Sequence, residues 1–353
     1  MAEDSAENTV TPQAIHVSDR AKLRAALQAS AAPVLIHLNA DTTWLLSLPY
    51  PPSTARPPGR SRFNILLDPW LQGPQSDVAS WFSTQWHLVA PCVQTIEELN
   101  SLLAEAERDA TSTRREAENE PSASIDAVAI SHEFTDHCHE ATLRELPRNT
   151  PVVATEKAAE LIKSWKHFDQ VMTTPGFSSS TLDWQKALSK PPLPSWVGIG
   201  RVITEGNALY YHSAVIIAFK HSSSEASSDG DTGAGAVIYS PHGIKASDLD
   251  AINAANLNTL ALLHGLHDVR IWMTKQLNLG ALNGLEAVRA SGAKYWIATH
   301  DEIKKGGGLI APLLRRTKYT VTDAVEKETQ ALGEKALGYN FVELGSGHGL
   351  VLA

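Results

Sequence analysis

This chain contains little cysteine, no long apolar run and no excess of basic residues. Its 353 residues include 2 cysteines, Cys92 and Cys138, too few for a disulfide framework, so we expect a reducing, cytoplasmic environment. No apolar run approaches the ~20 residues that a bilayer-spanning helix needs. The acidic opening "MAEDSAENTV" lacks the apolar core of a secretory signal. We therefore expect a cytoplasmic protein without a membrane partner.

The charge balance argues against one class of partner. Asp and Glu outnumber Lys and Arg by 39 to 30, a formal net charge of −9. Proteins that bind nucleic acid usually carry a surplus of Lys and Arg that neutralises phosphates. We therefore expect a small-molecule substrate and no nucleic acid. The composition, 43% hydrophobic and 20% charged, is typical of a globular protein with a sizeable core.

Strand-like and helix-like segments alternate along the chain. The predicted strands include "PVLIHLN", "TWLLSL", "FNILLDPWLQG", "DAVAIS", "PVVAT", "GAVIYS" and "KYWIATH". Helices are predicted from Thr95, over "EKAAELIKSW" and "GLEAVRAS", and from Ala246 through "LNTLALLHGL". The chain divides into two halves, each with strands followed by helices, and this order predicts an α/β fold that is a four-layer αββα sandwich. We expect a flexible tail over 1–18, a single domain over 19–353, and mobile loops at 107–124 and 221–235.

Histidines recur where predicted strands end. His132 follows "DAVAIS", His242 follows "GAVIYSP" and His300 follows "KYWIAT", while Asp68 ends "NILLD" in the same way. The first of these opens the stretch "SHEFTDHCH", which holds three imidazoles, a carboxylate and a thiol. One histidine at a strand end is more often a hydrogen-bonded turn residue than a ligand. Because strand ends meet at one rim of a sheet, the repetition predicts a metal or catalytic site there.

The order of these segments resembles the metallo-β-lactamase superfamily, most of all its lactonase-like and phosphodiesterase-like cytosolic hydrolases. Four landmarks carry the resemblance: "TWLLSL…FNILLDPWLQG", "SHEFTDHCH", "ALYYHSAVIIAF…GAVIYSPHG" and "KYWIATHDE". The second is similar to the His-x-His-x-Asp-His signature of that superfamily. The landmarks extend from about residue 33 to 301, and the fold that they imply is the αββα sandwich.

The resemblance also implies a set of metal ligands. His132 and His212 match ligands of a first metal ion, and Asp136, His137 and His300 match ligands of a second. His242 stands where the superfamily has an Asp that bridges the two ions, and Phe134 replaces the second His of the signature. Asp68 matches an acid that accepts the other N–H of a ligand imidazole. The first metal position is therefore expected to be weakened, which favours a single ion over two.

A metal-dependent hydrolase is the function that these residues predict. Imidazole and carboxylate ligands suit a divalent metal; we expect zinc, one ion or two, with iron or manganese as alternatives. Such an ion would supply a metal-bound hydroxide that attacks a lactone, ester, amide or phosphodiester. Asp136 would hold the nucleophile and His242 would protonate the leaving group.

Two other functions remain open from the sequence. Because Phe134 and His242 replace expected ligands, the chain could be a non-catalytic, ligand-binding relic of the fold. An iron-dependent redox protein is the third alternative, because the same ligand types bind iron.

Overall fold

Two large β-sheets pack face to face in this protein, and helices cover the outer face of each sheet. The computed structural model describes residues 14–52, 54–57, 59–77, 79–107, 125–178, 180–181, 183–203, 211–220, 233–271, 275–309, 311–333 and 339–353. The four layers confirm the α/β class and the αββα sandwich that the sequence predicts.

The first sheet has eight strands and is mixed in direction. Its strands are β1 (Ala14–His16), β2 (Val34–His37), β3 (Trp44–Pro49), β4 (Arg62–Leu67), β6 (Ala127–Ile130), β7 (Val152–Ala154), β8 (Val171–Thr173) and β19 (His348–Val351). They lie in the order β1-β19-β2-β3-β4-β6-β7-β8. Strands β2 and β3 form the expected antiparallel hairpin, and β4, β6, β7 and β8 run parallel. The carboxyl ends of β4 and β6 therefore lie side by side.

The second sheet has six strands and also contains a parallel group. Its strands are β9 (Val197–Ile203), β10 (Ser213–Lys220), β11 (Ala234–Ser240), β12 (Asn258–His264), β15 (Tyr295–Ile297) and β18 (Phe341–Val342). They lie in the order β18-β15-β12-β11-β10-β9, with β11, β12, β15 and β18 parallel. The carboxyl ends of β11 and β15 thus point to one edge of the sheet.

Two small antiparallel sheets complete the strands among the described residues. One contains β13 (His267–Ile271), β14 (Lys275–Asn278) and β17 (Leu314–Lys318), and the other contains β5 (Thr84–Trp86) and β16 (Lys305–Gly307). Strand β16 follows directly on the segment that carries His300, so its pairing with β5 ties that segment to residues after β4.

The α-helices form the outer layers. They are α1 (Arg20–Ala29), α2 (Ile96–Glu107), α3 (Glu140–Leu143), α4 (Glu156–Ser164), α5 (Trp184–Leu188), α6 (Asp250–Ala254), α7 (Ala281–Ser291) and α8 (Val321–Leu332). Helices α1 to α4 cover the first sheet and α5 to α8 cover the second. Over the described part of the chain, no helix has the length and apolar character to cross a membrane.

The central core lies between the two sheets. Strand β3 contributes Trp44 and Leu46 from the first sheet, and β10 contributes Val215 and Ile217 from the second, all buried. Burial of apolar surface at roughly 25 cal/mol per Å² makes this interface the main stabilising contact between the two sheets. The strand ends at the rim of the two sheets are therefore positioned by a well-packed core.

Two segments differ from their sequence-based predictions. Residues 14–18, predicted to belong to a flexible tail, are ordered because β1 pairs with β19 and because Ile15 and Val17 are buried. The predicted tail 1–18 is therefore wrong from Ala14 onward, and its remainder lies outside the described residues. The predicted helix through "LNTLALLHGL" is also wrong, because Asn258–His264 is strand β12. A strand buried on both faces shows no alternating pattern, so periodicity cannot separate it from a buried helix.

The two predicted loops are each shorter at one end than expected. Glu107 is the last residue of α2, and β11 begins at Ala234 within the predicted loop 221–235. The remaining parts, 108–124 and 221–232, lie outside the described residues. Glu107 is ordered because its carboxylate accepts hydrogen bonds from the backbone N–H groups of Ser61 and Arg62.

Buried His37 gives the folded protein a predictable response to pH. Its ring stacks on Trp44 at 3.7 Å, its Nδ1 lies 2.5 Å from the Leu344 carbonyl, and burial lowers its pKa from 6.5 to about 4. Between these pH values His37 therefore binds a proton in the unfolded chain but not in the folded chain. We expect His37 alone to reduce the free energy of unfolding by up to about 1.4 kcal/mol per pH unit as pH falls from 6.5 to 4.

Denaturant unfolding at several pH values measures this slope. His37→Asn keeps a donor for the Leu344 carbonyl and should remove the contribution of one proton to the pH dependence of the free energy of unfolding. His348→Asn, at an exposed histidine, is the control for the substitution itself. Equal slopes in wild type and His37→Asn would contradict the prediction.

Candidate metal centre

The ends of four strands bring the predicted site residues to one rim. Asp68 follows β4, His132 follows β6, His242 follows β11 and His300 follows β15. Asp68 and His300 have left-handed backbones, with φ of 41° and 58°. Non-glycine residues rarely adopt this conformation, and where they do the surrounding structure holds them in it. For His300, a hydrogen bond from its N–H to the Asp41 carbonyl supplies part of that support at 2.9 Å.

A single turn of chain places His137 in the interior. The N–H groups of His137 and Cys138 both donate to the Phe134 carbonyl, at 2.9 and 2.7 Å. His139 then caps α3 by accepting from the Thr142 N–H, which directs its ring away from the other imidazoles. The closely spaced histidines of "SHEFTDHCH" therefore divide between the centre and a helix cap.

Three imidazoles converge at the rim. Ligand atoms of His137, His242 and His300 all lie within 4.8 Å of one another, and all three residues are buried. The Nε2 atoms of His137 and His242 are 2.9 Å apart. Burial and the neighbouring histidines lower the pKa of His242 well below 6.5, and burial lowers that of His300. Two of the three rings are thus neutral at pH 7, the form in which imidazole binds a metal.

Carboxylates orient two of these rings. Asp68 lies 2.7 Å from His137 Nδ1 and also accepts hydrogen bonds from the N–H and hydroxyl of Ser131. Asp41 lies 3.1 Å from His300 Nδ1. In each ring a carboxylate at Nδ1 favours the neutral tautomer whose Nε2 lone pair can bind a metal. Burial opposes protonation of His137, but Asp136 and Asp68 outweigh it and raise the pKa of this imidazole.

A lysine lies beside the imidazoles, where sequence reasoning did not place one. Lys304 Nζ is 2.7 Å from an Oδ2 atom of Asp41 and 2.7 Å from Oδ2 of Asp136. Burial opposes ionisation of all three groups, but their mutual attraction raises the pKa of Lys304 and lowers those of both carboxyls. Asp136 also lies near two imidazoles, 3.6 Å from His137 Nε2 and 3.9 Å from His300 Nε2.

His132 and His212 lie outside the three-imidazole group. His132 is buried, its ring centre 4.4 Å from that of His242, and its Nε2 has no hydrogen-bond partner among the described residues. His212 is half-buried and its Nδ1 faces the His242 carbonyl at 3.1 Å. Phe134 stacks on the Tyr211 ring at 5.2 Å and lies 6.1 Å from the His242 ring. The Phe134 side chain thus lies beside the imidazoles and offers no metal-binding atom.

The donor set fits one divalent ion. Two nitrogens bound 2.0–2.1 Å from a tetrahedral zinc are about 3.3–3.4 Å apart. The 2.9 Å between His137 and His242 Nε2 is therefore a few tenths of an ångström from the ligand spacing, and His300 completes a set of three imidazole donors. A second group, Asp41, Asp136 and His300, also lies within 4.8 Å. It does not fit an ion, because the Lys304 ammonium already holds both of its carboxylates.

A cavity of about 290 Å³ opens onto the centre. Asp136, His242, His300 and Lys304 line its floor. Its walls combine aromatic and aliphatic side chains from the small sheets and nearby loops: Phe82, Phe134, Tyr211, Val269, Ile271, Leu277 and Leu314. The centre is thus reachable by a small molecule with an apolar portion.

Asp41 and Lys304 were the site residues that sequence reasoning missed. Asp41 lies in the turn of the β2–β3 hairpin, and Lys304 lies four residues after His300 in "HDEIKK". Neither position carries a pattern that distinguishes it from an ordinary turn or surface residue. The pairing of the two side chains arises only when the turn and the segment after β15 meet at the rim.

Comparison with known proteins finds similarity in structure only. No protein-family model and no curated protein matches this sequence. An isothiocyanate hydrolase from Delia radicum gut bacteria is similar in structure with a TM-score of 0.51 and 13% identity, over 90% of this chain and 98% of that one. A possible metal-dependent hydrolase from Veillonella parvula has a TM-score of 0.48 at 13% identity, over 91% and 99%. The metallo-β-lactamase fold protein YhfI from Bacillus subtilis has a TM-score of 0.42 and 12% identity, over 90% of this chain and 98% of that one. At these identities the likeness concerns the fold alone.

Proposed function

Because this chain has the metallo-β-lactamase fold, we propose that its rim of histidines makes it a metal-dependent hydrolase with a one-metal centre. The observation that carries the proposal is the convergence of His137, His242 and His300, of which His242 and His300 line a cavity. Two of these rings are oriented by carboxylates through Nδ1. An arrangement of this kind holds a catalytic metal with three protein ligands and leaves a position open.

His137, His242 and His300 would hold the ion, which when bound lowers the pKa of a water and polarises a carbonyl or related oxygen. Zinc is the ion that three imidazoles favour, with iron and manganese as alternatives. His132, whose Nε2 has no hydrogen-bond partner among the described residues, lies beside this set but outside the group whose ligand atoms converge within 4.8 Å. We therefore assign His132 and His212 to support of the centre, as a hypothesis that differs from their expected role as ligands.

The side chains around the open position would then direct the reaction. Asp136 remains ionised beside Lys304 and accepts a hydrogen bond from the attacking water, which orients it. The water oxygen forms a bond to the substrate carbon, the bond to the leaving group breaks, and the proton lost by the water ends on that leaving group. His242, expected from the sequence to donate this proton, serves as a ligand in this proposal.

Charge favours an uncharged substrate. Asp41 and Asp136 pair with the Lys304 ammonium and Asp68 pairs with His137, so one divalent ion balances the net charge of these three carboxylates and the ammonium. Asp77 and Arg316 also line the cavity and add one acid and one base, so a phosphodiester would add a negative charge to a site without a positive surplus. Apolar side chains such as Phe134 and Val269 suit an uncharged substrate. We therefore propose lactones, esters or amides ahead of phosphodiesters as substrates.

Metal content together with a substrate panel tests this function. Protein prepared without chelators is loaded with Zn²⁺ or Mn²⁺, desalted and analysed for metal; about one equivalent is expected. Hydrolysis of δ-valerolactone, p-nitrophenyl butyrate, an aryl isothiocyanate and bis-p-nitrophenyl phosphate is then compared. We expect turnover of the uncharged carbonyl substrates, lost on metal removal and restored by metal. No bound ion in metal-replete protein would exclude the proposal.

A second function, binding of a ligand without hydrolysis, is favoured by one specific observation. Phe134 and Tyr211 stack on each other beside His242 and add aromatic surface to the cavity, which suits retention of an apolar molecule. Metal bound at one equivalent with no turnover across the panel would support this alternative.

A further inference from the structure

Lys304 has the surroundings of a bound cation. Its side chain is buried, and its ammonium lies between the carboxylates of Asp41 and Asp136 at 2.7 Å from each. These two carboxylate oxygens lie within 4.8 Å of a His300 nitrogen, and carboxylates are ligands that divalent metals accept. A positive side chain therefore fills a position whose neighbours are those of a metal ion.

The chain segment just before Lys304 is anchored to two different parts of the protein. Asp301 accepts hydrogen bonds from the N–H groups of Leu266 and His267, at 2.6 and 2.9 Å. The next residue, Glu302, accepts from the N–H groups of Leu88 and Val89, at 2.7 and 3.0 Å. With consecutive carboxylates fixed to opposite neighbours, the following residues have little freedom to move. The lysine is thus held in place by the backbone and not only by its two ion pairs.

We propose that the Lys304 ammonium takes the place of a second metal ion, so that the centre combines one imidazole-bound metal with one cation supplied by the protein. The proposal rests on the proposed one-metal hydrolase for its functional meaning. Its structural part, exclusion of an ion from Asp41, Asp136 and His300, stands independently of turnover.

The ammonium has one further role that a buried ion pair would lack. Of its three N–H groups, two donate to Asp41 and Asp136, and Lys304 also lines the cavity floor. The third N–H can donate to an oxygen of a substrate held in the cavity. A carbonyl oxygen that gains negative charge during attack is the group such a donor stabilises, and loss of one donor of this kind typically costs 10²–10³-fold in kcat.

Metal titration of the variant Lys304→Ala tests the exclusion. Titration calorimetry with Mn²⁺ and with Zn²⁺ is expected to saturate at one equivalent in wild type and at two in Lys304→Ala, because alanine vacates the space between the carboxylates. The double variant Asp41→Asn/Lys304→Ala, which removes one donor of the new position, is expected to return to one. Two equivalents in wild type, or the same number of bound ions in Lys304→Ala as in wild type, would overturn the proposal.

The same titration separates this proposal from the proposed function. Wild type that binds no ion while Lys304→Ala binds one would defeat the hydrolase proposal and support the role of Lys304. If Lys304→Ala does not fold in metal-free buffer, circular dichroism with added Mn²⁺ decides: an ion that replaces the lost charge restores the folded signal, and no recovery counts against the proposal.

Discussion

Replacing His137 with alanine is expected to abolish tight metal binding and, with it, hydrolysis of the carbonyl substrates. His137 is fully buried, its Nε2 faces His242 and its Nδ1 is held by Asp68, so it contributes both a donor and the orientation of that donor. Loss of a partner that merely orients a ligand typically lowers metal affinity about 10–100-fold. We expect Asp68→Asn to fall in that range and His137→Ala to exceed it.

Metal affinity by competition with a chelating dye, and kcat/KM on the same preparations, measure both effects. His139→Ala is the matched control, because His139 is also buried and lies two residues away, yet its ring caps α3 beside Thr142. That control should keep its metal and lose about 1 kcal/mol of stability as a helix cap is removed. Equal metal affinity in wild type and His137→Ala would show that this imidazole is not a ligand.

Replacing Arg62 with methionine is expected to destabilise the fold by about 4 kcal/mol or more. The Arg62 side chain is fully buried and lies at the carboxyl end of α1, where helix carbonyls have no helical partner. Its guanidinium donates to the carbonyl oxygens of Ala26, Leu27, Ser30, Ala32 and Ser47. Each buried acceptor left without a donor costs about 1–3 kcal/mol, and a domain has only about 5–15 kcal/mol in total.

Chemical denaturation of three variants distinguishes the hydrogen bonds from the charge. Arg62→Lys keeps the charge but presents one ammonium, which cannot reach all of these carbonyls, so it should lose an intermediate amount of stability. Arg144→Met is the surface control: Arg144 pairs with Glu140 in an exposed i,i+4 contact worth about 0.3–0.5 kcal/mol. A loss under 1 kcal/mol for Arg62→Met would mean that water or other groups satisfy these carbonyls.

The strand-end histidines were the part of the site that sequence could locate. His132, His242 and His300 each follow an apolar run, and parallel neighbours must end at one edge of a sheet. The αββα layers followed from the same alternation of strands and helices. The sequence could not show which of the histidines converge, because the direction of each ring depends on backbone angles such as the φ of 58° at His300.

Phe134 replaces a histidine of the expected signature, and this replacement can be interpreted from the sequence alone. Its replacement of a histidine predicted a weakened first metal position, and in the structure its ring packs on Tyr211 beside His242. The sequence could state that a donor is missing because side-chain chemistry at one position is a local property. It could not state which groups occupy the space in its absence.

The sequence by itself determined which chemistry is available: several imidazoles at strand ends, an aspartate after β4, and no basic surplus for nucleic acid. Only the tertiary structure decided that a lysine lies among the site carboxylates, because Asp41, Asp136 and Lys304 are joined across 95 and 168 residues of chain. Separations of that size leave no periodicity and no fixed spacing in the sequence. An ion pair between distant turns is decided by how the turns meet, and here the packing of two sheets brings an ammonium between two carboxylates.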